Sequence, residues 1–87
     1  MRVEDTKDFR KALKKLPTDI QKAALEAIEE IVEADAFADI RHLKALTGHP
    51  NYYRIRIRSY RMGLFWNGEI FILESIGVRG DFYKTYP

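Results

Sequence analysis

The sequence predicts a single α+β domain over residues 1–87: a short N-terminal strand, an antiparallel helical hairpin, then a three-stranded antiparallel meander. Three observations carry that prediction. From residue 9 to 32 apolar side chains recur every three or four positions, the period of helices with one buried stripe. From residue 53 onward they alternate with polar ones, the period of half-buried strands. Asn67-Gly68, flanked by apolar residues, marks a two-residue hairpin turn between two such strands.

Met1 to Glu4 reads as the first strand because a helix begins soon after it. Asp5 or Thr6 can accept from the free N–H groups of that helix. Phe9, Leu13 and Leu16 make its apolar stripe, with Arg10, Lys11, Lys14 and Lys15 around it. Pro17 stops it, and Thr18 with Gln21 three residues on forms a capping box for the next. The second helix runs from about Asp19 to Glu33. Ile20, Ala24, Ala27, Ile28, Ile31 and Val32 face inward, while Glu26, Glu29, Glu30 and Glu33 face out. The short break predicts an antiparallel hairpin. Ala34 to Ile40 extends the helix or loops away, and Thr47 to Asn51, with Gly48 and Pro50, is a turn or loop.

In the meander, Ser59-Tyr60 is the expected first turn and Asn67-Gly68 the second. That register sets Arg58 opposite Arg61, Arg56 opposite Gly63 and Arg54 opposite Phe65. Across the second turn Trp66 faces Glu69, Leu64 faces Phe71 and Met62 faces Leu73. Alternation then gives two faces. One carries Tyr53, Ile55, Ile57, Met62, Leu64, Trp66, Phe71 and Leu73, for the helices to cover. The other, exposed, carries Arg54, Arg56, Arg58, Arg61, Gly63, Phe65, Ile70, Ile72 and Glu74. A slip by one residue would bury the arginines, which constrains the assignment.

Composition narrows the function. A chain of 87 residues holds one core, and 46% hydrophobic residues suffice to build it. No cysteine is present, which removes disulfides and Cys-based metal sites. No apolar run approaches the roughly 18–20 residues a bilayer span needs, and the charged start MRVEDTKDFRKALKK is not a signal peptide. A cytoplasmic location is expected. Residues 1–40 hold seven Lys/Arg and ten Asp/Glu, net −3, and residues 41–87 hold eight and three, net +5. A basic half of this kind suits a polyanion, nucleic acid above all.

The arginine face sharpens that expectation. A plain solvated strand also alternates Arg with Ile. Here, however, only Glu74 is placed to neutralise four guanidinium groups, and Gly63 leaves a hollow beside Arg56. A hollow ringed by arginine suits a phosphate, which arginine holds bidentately. The C-terminal SIGVRGDFYKTYP adds Arg79, on a turn bracketed by Gly77 and Gly80, with Tyr83 and Tyr86. Arg54, Arg58 and Phe65 are then RNA-contact candidates beside Arg56, Arg61, Arg79 and Tyr83, able to clamp a backbone and stack a base. His42, in a helix tail, and His49, in a loop, lack the spacing of a metal site.

Four stretches in order, FRKALKKLP, HLKALTG, YRIRI…YRM and SIGVRGDFY, resemble the RelE/ParE superfamily of bacterial toxins from type II toxin–antitoxin pairs, over most of the chain. The resemblance implies the fold already predicted, and it is nearest to the RelE type. Members of that type are ribosome-dependent mRNA endonucleases that cut in the A site, without metal or cofactor. It implies a cognate antitoxin, the ribosome and mRNA as partners. Carried over by position, the active face is Arg54 and Arg56, then Arg61, then Arg79 and Tyr83. Val78 stands where some relatives have histidine, and arginine replaces the usual lysine pair. The implied chemistry is attack of a ribose 2′-OH on the adjacent phosphate. Arg79 would assist the leaving 5′-oxygen and Tyr83 orient the nucleotide. Arginine stabilises the added charge but is a poor base. Tyr83, Glu74 or a ribosomal group stay open as the base. ParE-type members inhibit DNA gyrase, and a non-catalytic RNA- or partner-binding module is the third reading.

Overall fold

A five-stranded sheet of order β1-β5-β4-β3-β2 organises the computed structural model, which describes residues 1–87. Its strands are β1 (Val3–Asp5), β2 (Leu43–Ala45), β3 (Tyr52–Ile57), β4 (Tyr60–Trp66) and β5 (Phe71–Val78). The helices are α1 (Lys7–Lys14), α2 (Thr18–Glu33) and α3 (Arg79–Thr85), with a 3₁₀ turn at Phe37–Asp39. The predicted meander is β3-β4-β5. To it the structure adds β2 antiparallel on one edge and β1 parallel on the other. No helix is long and apolar enough to cross a membrane.

Thr6, rather than Asp5, caps α1, its hydroxyl accepting from the Phe9 N–H at 3.1 Å. The expected capping box at Thr18 does not form. Pro17 is the N-cap of α2, and the Gln21 amide donates instead to the carbonyls of Leu16 (2.8 Å) and Lys14 (3.4 Å). Gln21 thus ties the end of one helix to the start of the next.

One sheet face carries the core. Phe9 of α1 and Ile20, Ala24 and Ile31 of α2 pack with Ile55, Ile57, Met62, Leu64, Phe71, Leu73 and Ile76 of the strands. Burying a side chain of this size contributes about 1.5–3 kcal/mol. Val32, expected inside, is 54% exposed, and Ile70, expected on the open face, is buried.

The first hairpin shifts register by two residues and keeps its predicted faces; the second shifts by two as far as Leu64 and by three beyond it, where Met62 faces Ile76 rather than Leu73. The first turn is Arg58-Ser59, so that Ile57 faces Tyr60, Arg56 faces Arg61, Arg54 faces Gly63 and Tyr52 faces Phe65. Arg58 has φ +55°, the left-handed value that the first central position of such a turn demands. Arg58 therefore leaves the strand, and its guanidinium reaches Asp19 at the start of α2 (2.7 Å). The second connection spans Asn67 to Ile70, with Trp66 opposite Phe71. The Asn67 side chain closes it by accepting from the N–H groups of Glu69 and Ile70, both at 2.9 Å. A bulge follows: Leu64 faces Leu73 but Gly63 faces Ser75, so Glu74 is the extra residue.

Candidate nucleic-acid interface

Pairing of the strands writes the polar face as rows. Lys44, Arg54, Gly63 and Ser75 lie side by side across four strands; Arg56, Arg61 and Gly77 make the next row. Arg79 opens α3 immediately beyond, its backbone N–H donating to the Ser59 carbonyl of the β3–β4 turn at 3.1 Å. The structure thus gathers Arg54, Arg56, Arg61 and Arg79, adds Lys44, and removes Arg58. Phe65 sits one row away, its ring packed on Tyr52 at 4.8 Å.

The ion pairs divide the eight arginines cleanly. Arg2, Arg10, Arg41 and Arg58 each meet a carboxylate. Arg54, Arg56, Arg61 and Arg79 have none within 4.0 Å. Arg61 holds the carbonyls of Arg58 (3.1 Å) and Tyr60 (2.9 Å) through Nη1, while its Nε is buried with no acceptor. A buried donor on a permanent cation without a partner is unfavourable, and an anion on this face would relieve it.

The expected hollow at Gly63 is filled. Gly63 lies opposite Arg54, not Arg56, and a Cβ there would come within 2.6 Å of the Tyr86 ring. Tyr86 packs against Tyr52 and Phe82, and its hydroxyl donates to Glu74 at 3.0 Å. Burial first, then the Glu74 charge, pushes the Tyr86 phenol well above its ordinary range. The open glycine is Gly77, opposite Arg61, where a Cβ would meet nothing within 4 Å. Gly63→Ala is therefore expected to lose about 1–3 kcal/mol and to expel Tyr86. Gly77→Ala should stay within about 0.5 kcal/mol of the parent. Chemical denaturation, with hydrogen exchange across residues 82–87, compares the two; equal stability would contradict this packing.

Tyr83, 45% exposed, lines a cleft of about 390 Å³ with Lys44, His49, Arg54, Tyr86 and Pro87. On the other side of β3 a cleft of about 190 Å³ separates its rim from α2, with His42, Arg56 and Glu30 on its walls. Here Arg41 clamps the incoming loop, its backbone N–H and its Nε (2.9 Å) both donating to Glu30. The backbone hydrogen bond, aided by the Arg41 charge and opposed by burial, holds the Glu30 carboxyl below its ordinary value. Unfolding returns Glu30 to about 4.5. The clamp therefore contributes fully above that pH and fades as pH falls through the lower folded value. In an acid titration followed by circular dichroism, Glu30→Gln should lose less stability below pH 4.5 than the parent. Parallel curves would refute that.

Lys44 was not read as part of the face, and His42, expected in a helix tail, sits instead in the turn that enters β2, with φ +64°. HLKALTG holds the alternation of a strand, but three residues of β2 are too few for the period to stand out.

No protein-family model matches the chain. Its fold is nonetheless that of toxins solved in antitoxin complexes. A chain of the RelB-RelE antitoxin-toxin complex from Methanococcus jannaschii superposes with TM-score 0.83 at 32% identity, over 97% of this chain and 99% of that one. The archaeal RelE-RelB complex from Pyrococcus horikoshii OT3 gives 0.69 at 26%, over 91% and 94%. The isolated E. coli RelE toxin, 22% identical, shares the fold with TM-score 0.72 over 95% and 90%. In sequence, Toxin RelE3 of Methanocaldococcus jannaschii is 35% identical over 88 aligned positions, all of both chains. The protein belongs to the RelE toxin family.

Proposed function

We propose that this protein is the toxin of a type II toxin–antitoxin pair and cleaves mRNA on the ribosome by attack of a 2′-OH on the adjacent phosphate. One observation carries the reading: four arginines gathered at one face have no carboxylate within 4.0 Å, while the other four are all paired. In this scheme Arg56, Arg61 and Arg79 surround the scissile phosphate and stabilise the charge that builds on it. Arg54 and Lys44 hold the neighbouring backbone, and Tyr83 orients the nucleotide. Family membership supports the same reading.

The test adds purified protein to translating ribosomes and maps mRNA ends, beside a gyrase supercoiling assay. Ribosome-dependent ends with gyrase unaffected are expected. Inhibited supercoiling with intact mRNA would overturn the proposal in favour of a gyrase inhibitor. Free RNA should bind weakly, since about four phosphate contacts to a single strand give a log–log salt slope near −3.

The partner follows from the same face. An antitoxin able to silence it offers acidic side chains to Arg54, Arg56 and Arg61, or apolar ones that displace Tyr83 to Pro87. Opposite charges also speed capture. Hydrogen exchange with and without such a partner should show protection at residues 52–66 and 76–87.

A further inference from the structure

The four arginines supply charge but no proton acceptor, and the structure narrows where one can be. Tyr86 keeps its proton and donates it to Glu74, so neither is free for the reaction. Arginine cannot be deprotonated in a protein. Imidazole is the side chain whose ordinary chemistry exchanges a proton near neutral pH, so a histidine beside the arginines is to be weighed against Tyr83.

His42 meets that requirement. Its ring Nδ1 lies 3.4 Å from Nη2 of Arg56, and its carbonyl accepts from Nη1 of Arg54 at 3.3 Å. Its backbone is left-handed, φ +64°, which turns the chain from the loop into β2. It is held on both sides. Ile40 is buried and Arg41 is clamped to Glu30 before it, and Leu43 pairs with Ile55 after it. A residue in an uncommon conformation that its neighbours fix so firmly is a pointer to function.

We infer that His42 is the general base of the cleavage proposed above, an assignment that rests on that reading. A guanidinium can only donate, so where Nδ1 takes the Arg56 contact it does so through its lone pair. At 3.4 Å the contact is long, and a ribose hydroxyl drawn in with the phosphate on Arg56 can replace it. The charged groups around the ring are Glu26 and Glu30 on α2, Arg41 beside it, Lys44 on β2, Arg54 and Arg56 on β3, and Arg58 at the turn.

The step then balances. The 2′-OH gives its proton to Nδ1 as its oxygen bonds to phosphorus. The bond from phosphorus to the 5′-oxygen breaks, and that oxygen, beside Arg79, takes a proton from water. The imidazolium returns its proton to the hydroxide so formed. The products are a 2′,3′-cyclic phosphate and a 5′-hydroxyl.

The test uses the full chain on mRNA-programmed ribosomes in single turnover. His42→Asn suits it because asparagine tolerates the left-handed backbone. Cleavage should fall about 10²- to 10⁴-fold with ribosome binding unchanged, and the rise of rate with pH in the imidazole range should vanish. His42→Gly fits the same backbone and opens a hole, so added imidazole should restore part of its rate. If the parent cuts and His42→Asn cuts within a few-fold with the same pH profile, the assignment is overturned. Loss of rate with the parent's pH profile and no rescue by imidazole overturns it as well, leaving a positioning role. A parent that does not cut mRNA at all instead removes the proposed function, and the base with it.

Discussion

Alanine at Arg56 or Arg79 is expected to slow the proposed ribosome-dependent cleavage by about two to three orders of magnitude, the usual loss when one stabiliser of developing charge is removed. Both residues are exposed and neither holds an ion pair, so folding should be untouched. The melting temperature checks the second half of that statement while mapped mRNA ends check the first. Arg61→Ala is a less clean probe, because its Nη1 also holds two carbonyls of the β3–β4 turn. A fall in rate there mixes lost charge with a loosened hairpin. If Arg56→Ala and Arg79→Ala both cut at the parental rate, the two-row arginine face is not where the phosphate sits.

The largest loss of stability is expected from Phe71→Ala. Phe71 is wholly buried, pairs with Val3 on one side and Trp66 on the other, and its ring meets Phe37 (5.1 Å), Trp66 (4.9 Å) and Tyr53 (5.7 Å). Emptying such a site removes the transfer energy and leaves a cavity, together about 3–5 kcal/mol. Against a total of about 5–15 kcal/mol for an ordinary domain, that brings the chain close to unfolding. Urea denaturation measures it. A loss below about 1 kcal/mol would mean that the aromatic cluster does not hold β1 and β5 together.

What the sequence revealed follows from how each signal is written. Helices of eight and sixteen residues and strands of six to eight repeat their period often enough to be read. The two faces of β3 and β4 were legible because a register error of two residues leaves a side chain on its own side, whereas the bulge in β5 adds a third residue of error. Turn positions were not. Arg58 occupies a left-handed position where glycine or asparagine is the usual sign, and Asn67 folds its own side chain into the loop and lengthens it. Among the candidate site residues, the gathering of Arg54, Arg56, Arg61 and Arg79 was expected from alternation and resemblance. The filling of Gly63 by Tyr86 is a contact between residues far apart in the chain, and no local pattern records it. His42 was named but placed in a helix tail, and its contact with Arg56, fourteen residues away, leaves no local pattern.

The margins of the sheet have a consequence for the fate of the molecule at high concentration. An outer strand is a template on which a second chain can build, and long flat outer strands seed fibrils. Here both outer strands, β1 and β2, are three residues long. That is half the six or seven residues that a stacked, fibril-forming segment requires. Glu4 and Asp5 place negative charge on one margin and Lys44 positive charge on the other. Of the long alternating strands that would make good fibril seeds, β4 lies wholly inside the sheet, while β3 and β5 are covered on their outer side at Tyr53–Ile55 and Phe71–Leu73. A domain rich in β-branched and aromatic residues is thereby kept from growing by edge-to-edge addition.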